Sequence, residues 1–377
     1  MPTAEPRRIG LIVNPIAGTG GPLAARGSDL FANLEDACRR GARPLAQQRA
    51  ERALASLRRA DGDVSILAAA GPMGADVAAR SRFQPLVVAE AGEPTTALDT
   101  ARAARALLGC GIDLLLFAGG DGTAHDIFAV VGDRVPMVGI PAGVKMHSAV
   151  FALSPEAAGE TAAAAIRQAS GVRRAEIMDA DEGDPATGRP SSRLFGYAHT
   201  PDLPRLLQPA KGARPVGGEA AISALGRVLA SEMPPERLAI LGPGTTMQAV
   251  KRAFGFEGTL LGVDAVSDGK VVALDADAAR LEALCSVHAG VSIVISVIGN
   301  QGFVFGRGNQ QISAATIQAA GRNNLYVVAT REKLVALPSP DLHLDTGDPA
   351  LDRALAGYHR VRTGPRDSMV MRLSAAS

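Results

Sequence analysis

The residues of this chain best suited to chemistry are Gly119-Gly120-Asp121-Gly122-Thr123. An apolar run, 114–118, precedes them and a helical pattern follows, so the loop falls where a buried strand gives way to a helix. Open α/β sheets bind ligands at that end of a strand. Glycines let backbone N–H groups approach phosphate oxygens without a clashing Cβ, and the helix N-terminus adds a favourable dipole. Thr123 adds a hydroxyl donor. A carboxylate among these donors repels phosphate unless it holds a cation or takes a proton from an acceptor, so Asp121 is either an Mg²⁺ organiser or a general base. Phosphoryl transfer asks for little beyond such positioning and charge neutralisation. Taken alone, the pentapeptide also reads as an ordinary Asp-Gly turn.

Other positions carry related chemistry. Lys145 and His147 follow the apolar run 135–140 and offer a mobile cation and a proton carrier to the same phosphates. His125 reads either as a helix-capping contact or as a site residue. Gly242-Pro243-Gly244-Thr245-Thr246 again sits between a strand and a helix, and its threonines are either caps or anion donors. The block 299–311 is dense in glycine and amides, with Arg307 its only charge. It reads as a twisted hairpin or as a recognition surface, with Arg307 clamping phosphate and Asn309 or Gln310 facing a base or ribose edge. Asp345 and Asp348 bracket Thr346-Gly347, an Asx-type turn or a cation site, and Asp264 is a further acid at a strand end. Two alternatives fail on spacing. Gly18-Thr19-Gly20-Gly21-Pro22-Leu23 has Leu where a dinucleotide fingerprint wants its last Gly, and the stretch from Gly139 to Lys145 misses the Walker A pattern.

Apolar runs at 9–13, 64–70, 86–89, 113–118 and 135–140 alternate with helical spacing at 36–60 and a helix to 108 that Thr95-Thr96 can cap. The alternation predicts βαβ crossovers and a parallel sheet. After an alanine-rich stretch, 155–170, the segment 179–192 is acidic and rich in Gly and Pro, and a domain change is placed near here. Further strands are expected at 238–241, 259–263, 271–274, 291–297 and 325–329, with a hairpin turn at Asp268-Gly269. The expected organisation is 1–158, 159–335 and a C-terminal segment 336–377 that packs back on the first domain.

With 377 residues, 47% of them apolar, the chain can bury a sizeable core and exceeds one typical domain. Lys and Arg number 39 against 38 Asp and Glu, so a net charge of +1 supplies no global field toward nucleic acid or an anionic membrane. Cys38, Cys110 and Cys285 lie too far apart for a CxxC site, which fits a reduced, cytoplasmic setting. No signal-peptide pattern opens the chain, and runs such as 291–298 are too short to span a bilayer.

Asn14-Pro15 with Ala17-Gly18, followed by the loop 119–123, resembles the superfamily of NAD kinases, diacylglycerol kinases and sphingosine kinases. The block from Gly139 to Ser148, with Gly143 at its centre, and those at 242–246, 299–302, 306–311 and 344–348 narrow the likeness to ATP-NAD kinase-like proteins that include the acetoin-catabolism X proteins. The resemblance implies an N-terminal Rossmann-like parallel α/β domain and a β-rich C-terminal domain. It implies a kinase taking ATP with Mg²⁺ or Mn²⁺ as donor and the 2′-hydroxyl of NAD's adenosine ribose as acceptor. A lipid kinase is disfavoured, because no membrane-docking segment is visible. On residues and resemblance together, Asp121 is the expected catalytic group. Asn14, Gly18, Gly119, Gly120, Gly122, Thr123, Gly143, Lys145, His147, Gly242, Gly244, Thr245 and Thr246 are expected to bind nucleotide. Asp264, Gln301, Arg307, Asn309 and Gln310 are expected to face the substrate, and Asp345 and Asp348 to join Asp121 at the metal. No adjacent Asn-Glu pair, which well-studied NAD kinases use to grip the ribose, occurs between Lys145 and Gly242. Kinase action on another hydroxylated metabolite linked to acetoin breakdown, or nucleotide sensing without turnover, are the alternatives. A homo-oligomer is expected, with neither nucleic acid nor membrane as partner.

Overall fold

The computed structural model describes residues 7–24, 34–39, 45–60, 63–144, 146–167, 170–181, 191–208, 218–298 and 301–375. They form two compact units, the first holding 7–20 and 34–208 and the second holding 21–24 and 218–375.

The first unit is built on β1 (Arg7–Val13), β2 (Val64–Ala69), β3 (Leu86–Ala89), β4 (Leu114–Gly119) and β5 (Met137–Pro141). They form a parallel sheet in the order β3-β2-β1-β4-β5. Every residue of β4 and β5 is buried, which explains why these strands read as unbroken apolar runs rather than as alternation. Their side chains still divide by parity. Leu114, Leu116 and Ala118 join Ile9, Leu11 and Val13 against the helices Leu45–Ala60 and Pro155–Ile166, whereas Leu115 and Phe117 join Ile12 against Ala97–Gly109 and Asp121–Val131. Gly159 lets the first two helices touch: a Cβ there would lie 2.1 Å from the Ala53 carbonyl oxygen. The single helix expected over 36–60 is two, Leu34–Arg39 and Leu45–Ala60. Thr96 is the N-cap of the next, as its sequence signals, and Asp99 closes a capping box by accepting from Thr96 N at 2.8 Å. A long antiparallel hairpin, β6 (Val172–Asp181) and β7 (Ser191–Pro201), flanks and partly overlaps the segment 179–192 expected to be turn, and residues 182–190 are outside the described set.

The second unit carries β8 (Leu238–Leu241), β9 (Asp264–Ser267), β10 (Lys270–Ala273), β11 (Val291–Ser296), β12 (Leu325–Val328), β13 (Asp341–Leu344), β14 (Gly357–Arg362) and β15 (Ser368–Ala375). Their order in one sheet is β10-β9-β8-β11-β12-β14-β15-β13. β8, β11, β12 and β14 run parallel, and β9-β10 is the expected hairpin, with Asp268 and Gly269 both at positive φ. The run 259–263, expected as a strand, is a loop. Its Thr259 N–H and hydroxyl bond the Asp264 carboxylate at 2.8 and 2.7 Å, and strand pairing begins only at Asp264. The mixed α/β architecture, with a parallel-sheet N-terminal domain and a β-rich C-terminal one, is the fold class the sequence implied. Among the described residues no helix is long and apolar enough to cross a membrane.

Candidate phosphate-binding and active site

Three loops leave the carboxyl ends of the adjacent strands β1, β4 and β5, and they interlock. Asn14, just past β1, donates from Nδ2 to Thr123 Oγ1 at 3.0 Å, while its Oδ1 accepts from Ile16 N at 3.2 Å. The Asn-Pro element and the glycine loop, 109 residues apart in sequence, are thus bonded side chain to side chain. Gly119 O accepts from both Ala142 N and Gly143 N at 3.0 Å, which ties the β5 loop to the β4 loop. Close approach explains the glycines. A Cβ on Gly143 would lie 2.6 Å from Gly120 Cα, one on Gly119 would lie 2.5 Å from Thr123 Cβ, and Gly18, at φ +80°, would press a Cβ to 2.2 Å from Ala142 O.

The helix Asp121–Val131 starts from an extended Gly120 N-cap, and its first backbone bond is Ala124 N to Gly120 O at 3.0 Å. The amides of residues 121–123 therefore have no partner within the helix, and Gly122 beside them is exposed. Orphan amides at the positive end of a helix dipole suit a phosphate.

Asp121 is only 4% exposed. Its Oδ1 accepts from Ser148 Oγ at 2.6 Å and Ser148 N at 3.0 Å, and its Oδ2 accepts from His147 N at 2.7 Å. Burial pushes its pKa above the ordinary carboxylate value, and the Ser148 and His147 hydrogen bonds pull against that rise. A carboxylate has about four lone-pair positions. Three are occupied, so Oδ2 keeps one for an incoming hydroxyl proton or a cation. Ser148, which composition and spacing did not single out, is fully buried and also accepts from Met178 N at 3.0 Å. Gln208 holds the same loop by donating to Ser148 O at 3.0 Å. The only sequence signal for Ser148 was its place in the glycine-bearing block from 139. His147 is half-buried, its backbone serving Asp121. Lys145 lies outside the described residues. His125 packs against Phe195, the ring centroids 3.9 Å apart and the planes tilted by 55°.

In the second unit, Gly242 N bonds Val294 O at 2.9 Å and Gly244 N bonds Leu260 O at 2.7 Å. Gly244, at φ +110°, N-caps the helix Thr245–Ala253, whose first backbone bond is Gln248 N to Gly244 O. Thr245 is exposed, and no side chain caps this helix, so the loop keeps free amides as the first one does.

The remaining expected residues all belong to the second unit. Asp264 is fully buried against Lys251, Nζ to Oδ2 at 2.8 Å, and also accepts from Thr259 and from Asp275 N, so its oxygens face the fold rather than a substrate. Lys251 Nζ further donates to Thr259 O and Gly262 O, and burial lowers its pKa against the pull of Asp264. This pair pins the loop whose Leu260 carbonyl holds Gly244. Asn309 closes its own turn, accepting from Gly306 N and donating to Val304 O, both at 2.9 Å. Gln310 accepts from Gly308 N at 3.0 Å. Arg307 lies over the Phe303 ring, 4.6 Å from its centroid, and is 4% exposed. Gln301 is half-buried at the start of that block, and residues 299 and 300 are outside the described set. Asp348 caps the helix Pro349–Leu355, accepting from Ala350 N at 2.8 Å, and Asp345 is buried. Asp121 belongs to the first unit and these two acids to the second, and the described residues hold no group of three His, Cys, Asp or Glu side chains arranged for a metal.

A divalent cation can still be accommodated. Mg²⁺ is usually held by one or two carboxylates together with substrate phosphates, and the open position on Asp121 Oδ2 fits that donor set.

Comparison with known families gives two matches. The model of the ATP-NAD kinase N-terminal domain matches residues 9–169, and that of the ATP-NAD kinase C-terminal domain matches residues 235–373. No curated protein and no solved structure matches the chain.

Proposed function

We propose that this chain, which belongs to the ATP-NAD kinase family through both of its domains, transfers the terminal phosphoryl group of ATP to the 2′-hydroxyl of NAD's adenosine ribose. The observation that carries the reading is the interlocked set of loops after β1, β4 and β5, with the buried Asp121 carboxylate bonded between two of them. The amides of residues 121–123 receive phosphate oxygens, and Thr123, oriented by Asn14, adds its hydroxyl. Asp121 Oδ2 takes the proton of the attacking hydroxyl or holds Mg²⁺ or Mn²⁺ on the phosphates. When bound, that cation supplies charge neutralisation on the transferring group. Burial raises the basicity of Asp121, which favours proton acceptance from a hydroxyl.

The test is purified protein with ATP, Mg²⁺ or Mn²⁺ and NAD, scored for ADP and for NADP, with Asp121→Asn as control. NADP formation that collapses in the control is expected. The reading is falsified if neither ADP nor NADP exceeds the control. The missing Asn-Glu pair between Lys145 and Gly242 favours a second reading, transfer to another hydroxylated metabolite. Phosphorus NMR of the product from an acceptor panel separates the two. Tight ATP binding without any product marks a sensor instead, since binding alone gives no rate.

A further inference from the structure

The face of β14 in the second unit carries chemistry that the glycine loops do not use. Tyr358, Arg360 and Arg362 alternate along the strand and so point to one side of the sheet. With Arg322, Tyr326 and His359 they line a cavity of about 370 Å³. That volume lies within the roughly 300–1,000 Å³ typical of small-molecule sites.

The charges in this cavity are largely left without acids. Arg322 is braced by two carbonyls, donating to Ala356 O and Tyr358 O at 3.1 Å each, so its guanidinium is oriented but not neutralised. Arg362 is braced by Pro365 O and has one acidic partner, Glu232, at 2.7 Å. Arg360 is exposed and has no hydrogen-bond or ion-pair partner among the described residues. Its cross-strand neighbour on β15 is the apolar Val370, itself 65% exposed, so no carboxylate stands opposite. Tyr358 is 75% exposed, an unusual position for a large ring without a partner.

Guanidinium groups match phosphate oxygens in bidentate geometry, and aromatic faces stack on planar bases. The chain's net charge of +1 provides no extended field for a polymer, so the positive charge here is local and suits a small anion. We infer that this groove is a second ligand site, one that takes a mononucleotide, with the phosphate on Arg360 and Arg322 and the base against Tyr358 and Tyr326. It does not depend on the proposed kinase reaction.

The chain itself provides a local reporter, because it has three tyrosines, Tyr197, Tyr326 and Tyr358, and no tryptophan. Tyr197 lies on β7 in the first unit. The experiment is NMR of the full-length protein with ring-labelled tyrosine, titrated with adenosine monophosphate and separately with inorganic phosphate. Adenosine monophosphate should move the Tyr326 and Tyr358 signals saturably and leave Tyr197 in place. Arg360→Glu should weaken that binding by about tenfold or more, the loss expected when a hydrogen bond to a charged group is removed. Dispersed tyrosine signals certify that the variant is folded. Tyr358→Ala, a change at an exposed ring, should weaken binding as read from Tyr326. Absence of shifts at Tyr326 and Tyr358, or shifts that persist unchanged in Arg360→Glu, would overturn the site. Equal affinity for inorganic phosphate would overturn the assignment of a ring-bearing ligand.

Discussion

Replacing Ser148 by Ala tests how the first unit holds its buried acid. The hydroxyl donates to Asp121 Oδ1 at 2.6 Å and accepts from Met178 N at 3.0 Å, in a position with no solvent exposure. Removing it deletes one charge-assisted bond, worth about 1.5–3 kcal/mol, and leaves a buried N–H unpaired, at a cost of about 1–3 kcal/mol. Partial relaxation overlaps the two effects, so a loss of about 3 kcal/mol is expected at neutral pH. The loss should depend on pH with a definite sign. Burial already places the folded pKa of Asp121 above its unfolded value of 3.8, so its contribution to stability declines as pH rises through that window. The Ser148 bond is the largest of the effects holding the pKa down, and without it the decline extends to higher pH and is larger in total. Urea denaturation of both proteins from acidic to neutral pH should give a deficit that grows with pH. The acidic limb of any phosphotransferase activity should move to higher pH in parallel. A deficit below about 1 kcal/mol, or one that is flat across the range, would refute the assignment of Ser148 as the principal donor to an ionised Asp121.

Two further outcomes follow from buried charges. Lys251→Met leaves the Asp264 carboxylate in a site with no exposure and should cost about 3–5 kcal/mol, read by chemical denaturation. A cost under about 1 kcal/mol would mean that Thr259 and Asp275 satisfy Asp264 without the cation. Asp99→Ala removes the acceptor for Thr96 and Gly92 and should destabilise by about 1–2 kcal/mol at neutral pH, the scale of a lost helix cap. Hydrogen bonds led by Thr96 lower the Asp99 pKa to about 2 from 3.8, so its contribution is complete above 3.8 and disappears as pH falls toward 2. Stability curves of wild type and variant should therefore converge in acid, and a constant gap would contradict that linkage.

What the sequence determined by itself was local. Buried strands of the first unit declared themselves as unbroken apolar runs. The Thr96 cap and the Asp268-Gly269 turn depend on residues a few positions apart, and both formed where their chemistry placed them. The glycine loops were visible because a missing Cβ is written in the residue type.

Tertiary structure decided which side chains meet. Nothing in local spacing states that Asn14 orients Thr123, that Ser148 satisfies Asp121, or that Lys251 and Asp264 share a buried site. Side-chain bonds to nearby backbone, made only in the folded loop, account for two segments whose composition suggested otherwise. The β-branched and apolar run 259–263 has strand composition, but Asp264 captures its Thr259 N–H and hydroxyl and keeps it a loop. Asn309 and Gln310 have the composition of a recognition surface, yet their amides close a tight turn. Residue type sets what a group can bond, and only the folded chain sets which partner is near enough to take it.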